Sequence, residues 1–363
     1  MTQNTTPLPV GSMIGILGGG QLGRMLSLAA SRLGMRTHIF CPDPDSPAFE
    51  VTPHKTVAAY DDKAALAAFA DAVDVITYEF ENVPAATAAL LAARKPLHPG
   101  ANALAIAQDR LAEKTFLASK NIPVAAYRAV ATLADLEAAI DALGLPAVLK
   151  TTRLGYDGKG QRVLRERSDA AAAFAALEPK PLVLEAFVPF DMEISVVVAR
   201  NASGEVKSFD PAENVHTNHI LHTSTVPANI APGVEKHAAM LAKVIVVALD
   251  YVGVLGVEFF VVPGTDRPSL IVNEIAPRVH NSGHWTEAVC LTDQFEQHIR
   301  AALGWPLGDP ARMADVVMEN LIGDDVARVP AGIDGNTQPH LYGKSEARPG
   351  RKMGHINRIT RRF

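Results

Sequence analysis

The stretch GVLGVEFFVVPGTDRPSLIVNEIAPR, residues 253–278, sets two apolar runs on either side of the turn-forming segment PGTDRPS. Such a pattern predicts an antiparallel hairpin, here centred near Asp266. A register symmetric about that point pairs Val262 with Leu270, Phe260 with Val272 and Glu258 with Glu274. Two carboxylates then oppose each other at about 5 Å, which is destabilising unless something positive lies between them. A hard divalent cation meets that need: Mg2+, with Mn2+ as a substitute, accepts carboxylate oxygens and leaves positions for phosphate and water. Asn273 adds an amide oxygen beside Glu274. In the alternative, the register is shifted by one residue and the two glutamates do not meet.

The rest of the chain sets limits on what such a site can serve. Its 363 residues exceed one ordinary core and imply two or three domains. With 48% hydrophobic and 20% charged residues the composition is globular, and a net charge of −5 gives no basic field for nucleic acid. Cys41 and Cys290 cannot form a disulfide framework, which suits a reduced, cytosolic compartment. The N-terminus has the wrong pattern for a signal peptide, so residues 1–11 are expected to be a flexible extension. The longest apolar stretch, KVIVVALDYVGVLGVEFFVV, is interrupted by Asp250 and Glu258, so no membrane span is expected.

From Met13, short apolar runs alternate with helix-like segments, giving an α/β layer of parallel strands up to about residue 105. The periodicity predicts single helices over 102–119 and 285–303, an Ala-rich helix over 133–143 and a long helix over 232–250. Strands are expected at AVLK, QRVL, LVLEAF and EISVVVAR.

GGGQLG, residues 18–23, follows a strand, opens a helix and precedes Asp43 by twenty residues, which is the spacing of a dinucleotide fingerprint. Physically it promises less: backbone N–H groups at a helix N-terminus that favour some anion, or only a tight turn. An NAD-dependent oxidoreductase remains one alternative on this motif. The Walker pattern of a P-loop is absent, so a triphosphate needs another cradle. TTRLGYDGKGQ, between two strands, supplies glycines that let a loop close over phosphates, with Lys150 before it and Lys159 within it. LVLEAFVPFDMEISV places Glu185 and Glu193 around an apolar segment suited to adenine and ribose.

Taken in order, GGGQLGRM, GYDGKGQ, NEIAPRVHNSGHWT and RPGRKMGHIN resemble the N5-carboxyaminoimidazole ribonucleotide synthetase family of the ATP-grasp superfamily. The resemblance covers nearly the whole chain from Met13. It implies an α/β and α+β architecture: a Rossmann-like parallel-sheet domain over 12–105, then an ATP-grasp fold of two α+β subdomains over 106–187 (lid) and 188–363, with a small C-terminal β-rich extension. The implied reaction joins ATP, bicarbonate and 5-aminoimidazole ribonucleotide through carboxyphosphate, giving the N5-carboxylated ribonucleotide, ADP and phosphate in purine biosynthesis. By the same resemblance Glu258 and Glu274, assisted by Asn273, hold the metal. Arg110 and Lys150 meet the ATP phosphates, and Glu185, Val188 and Glu193 hold adenine and ribose. Arg278, His280 and Asn281 shape the bicarbonate pocket, while Asp157 and Lys159 act from the loop. Gln21, Glu79, Tyr156, His216, Lys344 and Arg351 face the ribonucleotide, with Glu81 competing with Glu79 for that place. A homodimer is implied too. Other ATP-grasp ligases, such as a formate-dependent glycinamide ribonucleotide transformylase or a biotin carboxylase, share the metal carboxylates but not the last two motifs together.

Overall fold

The computed structural model describes residues 6–155, 158–177, 181–264 and 268–363. Tyr156, Asp157 and the hairpin tip at Asp266 lie outside them. The first sheet is wholly parallel, in the order β3-β2-β1-β4, with β1 Met13–Leu17, β2 Arg36–Phe40, β3 His54–Thr56 and β4 Val75–Tyr78. Every residue of β1 and β4 is buried, as expected of strands covered on both faces. The second sheet comprises β5 Tyr127–Val130, β6 Ala147–Thr151, β7 Gln161–Leu164 and β8 Leu182–Ala186, antiparallel in the order β5-β8-β6-β7. Helices Leu133–Leu143 and Ala170–Leu177 share a core with it, and Thr132 with Asp135 forms a capping box on the first.

The third sheet has nine strands. They are β9 Met192–Arg200, β10 Val206–Ser208, β11 Ala212–Thr217, β12 Ile220–Val226, β13 Gly253–Val262, β14 Ser269–Ala276, β15 Ala314–Ile322, β16 Thr337–Leu341 and β17 Lys352–Arg362. Its path runs β14-β13-β9-β11-β12-β15-β17-β16, with β10 beside β9. The C-terminal strands therefore extend the central sheet through β12, and do not form a separate body.

Two expected helices are each broken in two. The 102–119 segment divides into Ala101–Ala107 and Arg110–Ser119, because the Asp109 side chain accepts from Leu111 N and Ala112 N at 3.1 Å and starts a new helix. Asp293 does the same at 2.9 Å to Phe295 N and Glu296 N, separating Thr286–Val289 from Gln294–Ala302. In both places apolar periodicity continues through the break, so only the capping side chain reveals it. The expected flexible extension is tied down from Leu8, whose N–H donates to Leu303 O at 2.9 Å while its carbonyl accepts from Trp305 Nε1 at 2.8 Å.

The decisive hairpin forms, with a corrected register. Val262 pairs with Ser269, Val261 with Leu270, Phe260 with Ile271 and Phe259 with Val272, one residue away from symmetry about Asp266. The pairing then shifts so that Val257 meets Ile275. Glu258 thus opposes two residues, Asn273 and Glu274, across a β-bulge. The bulge cancels the one-residue slip, so the two glutamates meet at the site after all.

Candidate functional site

At the bulge, Asn273 Nδ2 donates to Glu258 Oε2 at 3.4 Å and His280 Nε2 lies 3.3 Å from Glu258 Oε1. Glu193 stands on the neighbouring β9, paired with Phe260. Burial, then the charges of Glu274 and Glu193, pushes Glu258 well above the ordinary carboxylate range; burial and Glu274 push Glu193 up to about 7. Carboxylates held this way gain from a cation that takes their charge. The donors are all hard oxygens from Glu258, Glu274 and Asn273, a set that fits Mg2+ or Mn2+.

The helix Arg110–Ser119 lies beside this strand and presents charge to it. Arg110 Nη1 donates to Glu274 Oε2 at 2.9 Å and Nη2 to Gly155 O at 3.3 Å, joining Glu274 to the loop after β6. Lys114, 1% exposed at its side chain, lies 3.2 Å from Glu185 Oε2, to which Lys150 Nζ also donates at 3.0 Å. Two lysines thus engage one oxygen of Glu185, the residue that the resemblance assigns to adenine and ribose, while its buried Oε1 has no partner among the described residues. Val188 is half-buried just beyond, and Phe190 stacks on Phe260 with ring centres 4.4 Å apart.

Arg278 extends from the end of the hairpin to Glu81, bonded through Nε to Oε2 and through Nη2 to Oε1 at 3.2 Å. Burial alone would raise Glu81, but Arg278 overrides it and holds the carboxyl down at about 2. Next to this fork, His280 is fixed by Gln294, whose Oε1 accepts from His280 N and whose Nε2 donates to His280 O, both at 2.8 Å. Burial brings His280 down to about 3, so its imidazole is neutral at pH 7. Both amide atoms of Asn281 are buried without a partner among the described residues, as suits a group that meets a ligand. Glu81, Arg110, Glu113, Gly155, Glu274 and Arg278 line one polar cleft.

The glycine loop departs from the dinucleotide reading. Glu79, at the end of β4, accepts from Gly20 N and from Gly23 N, the latter at 2.6 Å. The chain's own carboxylate therefore occupies the N–H cradle that a pyrophosphate would need. A Cβ at Gly20 would lie 2.7 Å from Glu79 Oε1, so a side chain there would displace Glu79 from the cradle. Asp43 is exposed and bonds Asp45 N at 3.0 Å in its own turn. Glu79 and Glu81, two residues apart, serve different partners.

Gln21 opens the helix Gln21–Arg32 at this loop. The C-terminal segment reaches the same region: Lys344 Nζ donates to Lys352 O at 2.6 Å, and a Cβ at Gly343 would meet Glu50 Oε2 at 2.8 Å. Burial and Arg351 bring Lys344 down to about 8, with Glu79 acting against them. Arg351 bonds Glu346 O at 2.8 Å within its own turn. His216 Nδ1 stands 3.4 Å from Glu193 Oε2. Lys159 is exposed on the loop, whose Gly158 packs against His219. Behind the site, His284 stacks on His355 and His355 on His340, each pair with centres 4.6 Å apart, tying the C-terminal strands to the segment after β14.

Glu113, Lys114 and the anchoring role of Glu81 are absent from the sequence reading. Arg110, Glu113 and Lys114 follow i, i+3, i+4 spacing, a pattern that in sequence looks like a solvated helix face. Only their burial distinguishes them.

A parallel-sheet domain followed by two α+β layers that enclose paired lysines, a glycine loop and a carboxylate hairpin defines an ATP-grasp protein. Family models agree: the ribonucleotide synthetase preATP-grasp domain matches residues 12–108, the ATP-grasp domain 115–295 and the phosphoribosylaminoimidazole carboxylase C-terminal domain 316–362. The N5-carboxyaminoimidazole ribonucleotide synthase of Brucella melitensis biotype 1 is 54% identical over 98% of this chain and 99% of its own. A solved ADP complex of an N5-carboxyaminoimidazole ribonucleotide synthetase is 43% identical with a TM-score of 0.93, covering 98% of this chain and 94% of that one. The Aspergillus clavatus N5-carboxyaminoimidazole synthase, solved with ADP and 5-aminoimidazole ribonucleotide, is 33% identical with a TM-score of 0.90 over 97% and 94%. The chain belongs to the N5-carboxyaminoimidazole ribonucleotide synthase family, and no described helix is long and apolar enough to cross a membrane.

Proposed function

We propose that this chain is an ATP-dependent carbon–nitrogen ligase that carboxylates 5-aminoimidazole ribonucleotide in purine biosynthesis, in the cytosol, with bicarbonate as the carbon source. The observation that carries this reading is the convergence of Glu258, Asn273 and Glu274 beside the Arg278 fork and the unpartnered amide of Asn281. The division of labour follows the domains proposed from sequence, 12–105 and 188–363 holding the ribonucleotide between them and 106–187 closing over ATP.

Glu258 and Glu274, with Asn273, would hold Mg2+ or Mn2+, which when bound neutralises charge on the transferring phosphoryl group. Arg110 and Lys150 turn from Glu274 and Glu185 to the ATP phosphates, and Glu185, Val188 and Glu193 receive adenine and ribose. Arg278, oriented by Glu81, and Asn281 seat bicarbonate; its oxygen attacks the γ-phosphorus and ADP leaves with the former bridging electrons. Neutral His280 orients this pocket through Glu258 and Ser282. The amine of the ribonucleotide then bonds to the carbon of carboxyphosphate, or of the CO2 released from it, phosphate departs and the amine loses a proton. Gln21, Glu79, His216, Lys344 and Arg351 hold the ribonucleotide, the two cations at its phosphate. Tyr156, Asp157 and Lys159 would line the aminoimidazole and ribose, and closure of the loop that carries them would exclude water from an intermediate that hydrolyses readily.

The test is ADP formation by the purified protein with Mg2+ and bicarbonate, with and without 5-aminoimidazole ribonucleotide. Stimulation by the ribonucleotide, lost in Glu274→Gln by at least a hundredfold, is expected. ADP formation indifferent to the ribonucleotide would overturn the reading.

A further inference from the structure

β14 is an edge strand, and its outward N–H groups need partners from elsewhere. Two find them in the segment 110–124: Val272 N donates to Pro123 O at 2.8 Å, and Ile275 N donates to Glu113 Oε1 at 2.6 Å. In an unbroken strand, N–H groups on the same side are two residues apart. Here they are three apart, and the extra residue is the bulge that places Asn273 and Glu274 together against Glu258. Glu113 therefore takes the one N–H that the bulge has turned outward. Ile275 is 5% exposed and Glu113 2%, so without the carboxylate this N–H would be buried and unpaired. Restoring the regular register is the way for the strand to avoid that, and it would turn Glu274 to the other face.

We propose that Glu113 is a positioning residue: it fixes the bulge, and through it the carboxylate of Glu274, without touching nucleotide or metal. This rests on the assignment of Glu258 and Glu274 as the metal-holding pair. Arg110, one turn earlier on the same helix, steadies the Glu274 side chain, while Glu113 steadies its backbone.

The experiment is calorimetric binding of ADP with and without Mn2+ to wild type, Glu113→Leu, Glu113→Gln, Glu113→Asp and Glu274→Gln, each checked for a cooperative thermal transition. Glu113→Leu should weaken Mn2+-supported ADP binding about tenfold and leave metal-free ADP binding within twofold. Glu113→Gln keeps an oxygen for Ile275 N and should match wild type in both. Wild-type binding by Glu113→Leu, equal losses with and without Mn2+, or a Glu113→Gln as weak as Glu113→Leu would each overturn the proposal. If Glu113→Leu does not fold, Glu113→Asp carries the test: drawing the oxygen back by one methylene should cost several-fold in Mn2+-supported binding alone, and wild-type behaviour would overturn it. Glu274→Gln separates the two ideas, since an unchanged Mn2+ dependence there removes the metal assignment itself.

Discussion

Replacing Glu81 by Gln removes the charge that holds Arg278 while leaving nearly the same volume. The carboxyl is held at about 2 against an ordinary 4.5, a displacement worth roughly 3 kcal/mol at about 1.4 kcal/mol per pH unit. Their side chains are 28% and 19% exposed, so solvent screening reduces this to about 2 kcal/mol. The folded carboxyl is depressed, so its contribution is present above pH 4.5 and lost as the pH falls from there towards 2. Wild type should therefore lose about 2 kcal/mol over that window more than Glu81→Gln does, and be the more stable at pH 7 by a similar amount. Chemical denaturation at a series of pH values measures both. Steady-state kinetics adds a second readout: with its fork released, Arg278 no longer points at the anion pocket, and kcat should drop by roughly tenfold to a hundredfold with the KM for ATP little changed. If Glu81→Gln keeps kcat within twofold and its stability shows the wild-type pH slope, the argument that this pair orients the pocket is wrong.

Other perturbations probe the loop and the C-terminal anchor. Gly158 has φ +75° and a Cβ there would come within 2.5 Å of His219 Cβ, so Gly158→Ala should disfavour the packed loop by about 1–2 kcal/mol. Its signature is a larger fraction of ADP formed without carboxylated product, with thermal stability unchanged; unaltered coupling of ATP use to product would refute it. Burial pushes Glu287 up to about 7, and a raised carboxyl contributes stability below its unfolded pKa that is lost as the pH rises through 7. Glu287→Gln should thus flatten the decline in stability between pH 5 and 8 seen by denaturant titration, and a wild-type slope in the variant would contradict the assigned burial.

The fold class, most strand positions and the family were legible along the chain, because these rest on local signals. Apolar periodicity, Gly-rich turns and motif strings are properties of neighbours along the chain. Glu258 and Glu274 could be brought together on paper because a hairpin links near neighbours. What carried them together in space was different: a one-residue slip cancelled by a bulge, and a bulge depends on who covers the edge strand. That cover comes from Glu113, 162 residues away, a separation at which no local pattern speaks. The glycine loop teaches the same lesson, since its spacing fits a dinucleotide and only the fold brings Glu79 into its N–H cradle. Charged residues at helical spacing look solvated in sequence, and tertiary packing alone decided that Glu113 and Lys114 are buried against the groups they hold. Residue type and spacing select the chemistry available to a site; long-range packing decides which of those groups meet, and with what charge.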